Sequence, residues 1–100
     1  MKIKTIDIIA KDWFDKINGN SYFSMNVTIN YGLKSAVSFF VPMQYGYGDY
    51  FRDMAFKELQ KRGYIAEQES NVSYCQYYKA NNIIARYTKH ENCLKRELKY

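Results

Sequence analysis

From Tyr22 to Tyr31 the chain alternates without a break. Phe23, Met25, Val27, Ile29 and Tyr31 fall on one side, and Tyr22, Ser24, Asn26, Thr28 and Asn30 on the other. A period of two suits only a strand with one buried face, because successive side chains of extended backbone point to opposite sides. Such a strand must find neighbours to pair with and a second layer to cover its apolar side. Residues 34–41 repeat the pattern with Val37, Phe39 and Val41, and Tyr31-Gly32-Leu33-Lys34 is expected to turn the chain between the two as a hairpin. Pro42, lacking an amide donor, is expected to end that pairing.

The rest of the chain supplies the other layer. Residues 2–10, with Ile3, Ile6, Ile8 and Ile9, predict a first strand, and 11–20 a connection in which Trp13 and Phe14 anchor to the core. Asp49 is placed to cap a helix over 50–62, whose apolar stripe is Phe51, Ala55, Phe56 and Leu59 and which Gly63 stops. Ser70 is expected to cap a second helix over 71–80, with Tyr74, Cys75 and Tyr78 buried and Asn81-Asn82 ending it. Residues 83–88 predict a fourth strand and 91–99 a short basic helix. The expected fold is one α+β domain over 1–100: a mostly antiparallel sheet of four strands, in the chain order β-β-β-α-α-β, with helices on one face.

Composition narrows the function. With 47% apolar and 18% aromatic residues in 100, the chain can bury a single core. Eleven tyrosines against one tryptophan are more than a domain of this size buries with partners for every hydroxyl, so several are expected at the surface. The net charge of +5 is uneven: residues 1–56 carry six basic and five acidic side chains, residues 57–100 nine and five. A basic second half steers a protein toward nucleic acid or an acidic protein surface, and the positive charge argues against a mimic of DNA, which would be strongly acidic. No basic-then-apolar leader opens the chain and no apolar run is of membrane-spanning length, so a cytoplasmic protein with no membrane partner is expected. Cys75 and Cys93 are expected to be free, mostly buried thiols of a reducing compartment.

Catalytic patterns are sparse. His90 is the only histidine. With Cys93 and Cys75 it makes an incomplete metal set, since a structural zinc site takes four ligands. Asp12 and Asp15 could pair as carboxylates, but no nucleophile motif accompanies them. No enzyme activity and no cofactor are expected. Gly46-Tyr47-Gly48 ahead of a helix invites comparison with phosphate-binding loops, but lacks both the third glycine and the Lys-Ser/Thr pair. Tyr45 and Tyr47 are flanked by Gly46 and Gly48 in a connection that is usually polar, and tyrosine and arginine dominate binding hot spots. Arg86, Lys95, Arg96 and Lys99 supply positive charge, and Tyr45, Tyr47 and Tyr77 flat rings on which bases stack.

Trp13-Phe14-Asp15-Lys16-Ile17-Asn18-Gly19-Asn20-Ser21-Tyr22-Phe23, then Gln44-Tyr45-Gly46-Tyr47-Gly48-Asp49, then Cys93-Leu94-Lys95-Arg96-Glu97-Leu98 resemble a pattern in small proteins encoded by bacteriophages and prophages. The likeness spans nearly the whole chain. Phage proteins of this size include many anti-defence factors, among them anti-CRISPR proteins, which bind a host effector without doing chemistry. The resemblance implies a non-enzymatic inhibitor of a host defence protein, such as a CRISPR-Cas nuclease or its nucleic-acid complex, acting in the bacterial cytoplasm. The expected partner-binding residues are Gln44, Tyr45, Tyr47, Tyr50, Arg86, Lys95, Arg96 and Lys99. A nucleic-acid-binding accessory protein and a sponge for a signalling nucleotide are the alternatives.

Overall fold

The structure, a computed structural model, describes residues 2–68 and 72–98. Its first element is a hairpin that the sequence does not predict. Strand β1 (Thr5–Asp15) runs through the expected connection and pairs antiparallel with β2 (Asn20–Ile29), Asp15 opposite Asn20 and Ile6 opposite Ile29. The turn between them is closed by one side chain. Asp15 accepts from the amides of Ile17 at 3.0 Å and Asn18 at 3.3 Å and from Asn18 Nδ2 at 2.8 Å. Gly19 then takes φ of 70°, which a residue without Cβ reaches at no steric cost, and returns its N–H to the Asp15 carbonyl. Trp13, expected in the core, therefore lies on the opposite face of β1 from Ile6, Ile8 and Ala10.

Strand β3 (Val37–Tyr45) pairs antiparallel with β2 and continues through Pro42 to Tyr45. Pro42 does not end the pairing because β3 is an edge strand, where a missing donor costs no ladder bond, and the register shifts by a bulge opposite Phe23–Met25. Strand β4 (Ile84–His90) joins the other side of β1 in parallel, Thr5 beside Ile84 and Lys11 beside His90. The sheet has the order β3-β2-β1-β4 and is mixed, not antiparallel throughout.

One face of this sheet carries the core. Ile6, Ile8, Ala10, Met25, Val27, Ile29 and Val41 meet Phe51, Ala55, Phe56 and Leu59 of helix α1 (Tyr50–Lys61), with Ile65 and Tyr78. Helix α2 (Tyr74–Ala80) begins later than expected. Its cap is Ser73, in a reciprocal box with Gln76, and the Ser70 expected in that role lies outside the described residues. Cys75 is exposed and Cys93 half-buried, so neither thiol has the deep burial expected of it. Tyr64 lies flat on Phe39, whose ring also meets the Arg62 guanidinium. Two tyrosines of α2 pack on Phe56, with ring centroids 5.6 Å away for Tyr77 and 5.7 Å for Tyr78.

The terminal segment forms a 3₁₀ turn, Lys95–Leu98, against β1 and β2. It packs on the face opposite the helices: Lys95 Nζ stands 5.5 Å from the Trp13 ring, and Leu98 is fully buried outside the main core. The largest departure from expectation is Asn30. The alternating pattern puts it on the open face and Tyr31 in the core, yet Asn30 is 0% exposed and Tyr31 72%. Asn30 leaves the strand at φ 55°, a conformation asparagine tolerates better than most residues. Its carboxamide bonds the amides of Lys4 and Thr5, the Lys2 carbonyl and Ser35 Oγ.

Burial pushes the Tyr87 hydroxyl up to about 12 and Tyr78 further in the same direction. Both stay neutral in the folded chain at pH values where an unfolded tyrosine, near ~10, ionises. Their contribution to stability is therefore complete below ~10 and is lost as pH rises through the folded values. Stability by denaturant titration is expected to fall above pH ~10, and a Tyr78→Phe/Tyr87→Phe variant to resist alkali to higher pH than the parent. An alkaline midpoint unmoved by both substitutions would refute this.

Candidate functional site

One end of the sheet gathers the side chains that most need a partner. There β1 ends, β2 begins, β3 ends at Tyr45 and β4 ends at His90. Tyr45, Gly46, Tyr47, Asp49 and Tyr50 line an open cleft of about 570 Å³. Tyr47 is 74% exposed, and Tyr45 and Tyr50 are each about half exposed.

The cleft is held from three sides. Tyr45 is no loop residue: it pairs with Tyr22 in the ladder, and the two rings meet edge to face at 5.8 Å. Gly46 is enclosed, with its N–H on the Ser21 carbonyl. A methyl group there would lie 2.5 Å from Tyr50 Cδ2 and 2.8 Å from Phe23 Cε1, so the glycine is what lets Tyr50 stand edge-on to Phe23. Lys89 reaches across from β4 and donates to the Gly48 carbonyl at 3.0 Å. The same ammonium faces Asp12 at 3.9 Å and Glu91 at 3.6 Å. Burial raises the Asp12 carboxyl above its ordinary value, and Lys89 opposes that rise.

Asp49 stands at the start of α1, but its side chain bonds no helix amide. Its carboxylate turns toward Arg52 Nε at 3.7 Å instead. With Asp53 in the first turn of the helix, two negative charges stand where a nucleotide phosphate would dock.

The expected partner-binding residues divide into two groups. Gln44, Tyr45, Tyr47 and Tyr50 come together at this end, Gln44 half-buried in β3 and Tyr50 opening α1. Arg86 does not join them. It lies three strands away, level with Ser38 through the pairs Asp7–Thr28 and Thr28–Ser38. Its guanidinium is committed to Asp7 by bonds of 2.6 and 2.8 Å. Lys95 and Arg96 stand on the terminal turn beyond Trp13, both exposed, and Lys99 lies outside the described residues.

Of the rings expected to stack bases, Tyr45 and Tyr47 are exposed in the cleft. Trp13, Tyr22 and Tyr45 form a row across three strands, but Trp13 and Tyr22 face each other at 5.6 Å and Lys95 stands over the Trp13 ring. Tyr77 packs on Phe56. Among the described residues no group of three histidine, cysteine or acidic side chains is placed to hold a metal ion, and no helix is long and apolar enough to cross a membrane.

The other half of this end is not marked by any pattern read from the sequence above. Phe14, Ile17 and Leu94 are exposed beside the β1–β2 turn. The signal that could have located them is Asn18-Gly19, a hairpin dipeptide, which places Ile17 at a tip. Compared with models of protein families, with curated proteins and with solved structures, the chain matches none.

Proposed function

We propose that this chain works by binding another protein through the tyrosine-lined end of its sheet, without chemistry of its own. The observation that carries the proposal is the cleft of Tyr45, Tyr47 and Tyr50, whose rings are exposed around Gly46 while Lys89 holds the Gly48 carbonyl of the same loop. Rigid tyrosines cost little conformational entropy to immobilise and bring large amphipathic area, which is what binding hot spots use. The target class, a host defence protein such as a CRISPR-Cas nuclease, rests on the resemblance to phage-encoded proteins. A nucleic-acid-binding role draws less support, because Arg86 is paired with Asp7 and Tyr77 packs on Phe56, which leaves the exposed Tyr45 and Tyr47 without a paired basic partner beside them.

Tyr45→Ala/Tyr47→Ala is expected to weaken partner binding by about 2 kcal/mol or more, roughly thirtyfold, while melting as cooperatively as the parent. The assay is relief of CRISPR immunity in a phage-challenged host, with the bound protein recovered from nuclease-treated lysate. Equal binding by the folded double variant would move the site elsewhere. Failure to relieve any defence system would remove the target class.

A further inference from the structure

We infer that the cleft of Tyr45, Tyr47 and Tyr50 receives an arginine side chain of the partner protein, its guanidinium set among the tyrosine rings and bonded to Asp49. This rests on the reading of the cleft as a protein-binding site, and adds the chemistry of what enters it. The cleft is lined by those three tyrosines, Gly46 and Asp49, so the one charged group in its wall is a carboxylate. Tyrosine rings carry negative charge on their faces, and a cation within about 6 Å of a ring centroid is drawn to it. The chain makes such a contact itself on the same helix, where the Arg52 guanidinium carbon lies 4.3 Å from the Tyr87 centroid.

Asp49 is open to a visitor. Its side chain is 72% exposed and bonds no helix amide. Arg52 Nε faces it at 3.7 Å, longer than a hydrogen bond, and has no hydrogen-bond partner among the described residues, because that guanidinium is drawn over Tyr87 and Phe51. Lys89 brings no unbalanced positive charge to this end. Its ammonium lies on the Gly48 carbonyl and faces two carboxylates, Asp12 and Glu91. A carboxylate beside electron-rich rings selects its occupant. An acidic side chain or a phosphate would meet Asp49 with no counter-charge, and an apolar one would cover the carboxylate and leave it unpaired. Lysine offers a compact, strongly hydrated ammonium. The arginine guanidinium is planar and weakly hydrated, lies flat on aromatic rings, and gives two parallel bonds to one carboxylate. A second copy of this chain would bring its own net charge of +5, which repels the first.

The test is titration of the isotope-labelled chain with a short blocked peptide of glycine and serine around one arginine, followed by NMR. Shifts centred on the amides of Gly46, Tyr47 and Asp49 are expected. The same peptide with citrulline, which keeps the shape of arginine without its charge, should bind at least about tenfold more weakly, and the lysine peptide about threefold more weakly. Asp49→Asn should weaken the arginine peptide about fivefold or more and leave the fold intact, because asparagine suits the start of a helix as well as aspartate does. Equal binding of the citrulline peptide, arginine binding unchanged in Asp49→Asn, absence of shifts at the cleft, tighter binding of a glutamate peptide, or a dimer of the chain that buries the cleft would each overturn the inference. Partner binding lost in Tyr45→Ala/Tyr47→Ala but kept in full by Asp49→Asn overturns the arginine and leaves the cleft standing. Partner binding kept by both variants overturns the cleft as well, and loss in both supports the two together.

Discussion

Asn30→Ala is expected to lower stability by about 3 kcal/mol, which for a chain of this size moves Tm down by roughly 12 to 20 °C. Two effects combine. The carboxamide, itself fully buried, bridges the Lys2–Thr5 backbone and Ser35, so alanine leaves the Lys4 amide and the Lys2 carbonyl without that partner. Each group so stranded costs on the order of 1–3 kcal/mol. Alanine must also hold φ of 55°, at a cost of about 1 kcal/mol. Asn30→Gly separates the two, because glycine accepts the backbone angle and loses only the hydrogen bonds. It should lie about 1 kcal/mol above Asn30→Ala in stability. Equilibrium urea unfolding measures both variants. A loss under about 1 kcal/mol in Asn30→Ala would mean that water replaces the carboxamide, contrary to the burial observed.

Phe56→Ala should cost about 4 kcal/mol, the range for removing a buried aromatic ring. The effect has a specific address. Helix α2 spans only Tyr74–Ala80, too short to hold itself in water, and it is fastened by Tyr77 and Tyr78 against Phe56. Hydrogen exchange should therefore quicken in α2 before the β1–β2 ladder loses protection. Uniform loss of protection across the chain would show that α2 is not separately fastened. Tyr78→Phe is the companion variant. The Tyr78 hydroxyl is buried with no hydrogen-bond partner among the described residues, so its removal should be neutral or stabilising by up to about 1 kcal/mol.

How much of this was legible in the sequence depends on how local the information is. The strand around Met25 and Val27 can be recognised because one of its faces is buried along nearly its whole length. Helix α1 declares itself through Phe51, Ala55, Phe56 and Leu59. The second half of β1 does not, because Lys11 to Asp15 mixes charge and aromatic on both faces and Trp13 is covered by the terminal turn. Pro42 misleads until the position of β3 at the sheet edge is known. Asn30 misleads because an asparagine continuing an alternating run looks solvent-facing, and only the distant Lys2–Thr5 segment makes it a core group. The tyrosine cleft stands out because its residues are contiguous. The apolar residues beside it do not, because Leu94 comes from a segment after β4, far along the chain from Phe14 and Ile17 at the β1–β2 turn.

The parallel seam between β1 and β4 sets an order of assembly. Asp7 and Arg86, joined across it, are 79 positions apart, whereas the β1–β2 and β2–β3 hairpins close over short turns. Closing the longer loop is the slower event. During synthesis, β1, β2 and β3 have all emerged while the outer edge of β1 still waits for its neighbour. That edge is central in the finished sheet and so carries none of the devices, such as proline or a bulge, that protect β3. The nascent chain is therefore most open to edge-to-edge association in the interval before residues 84–90 leave the ribosome, and β4 acts as the closing clasp.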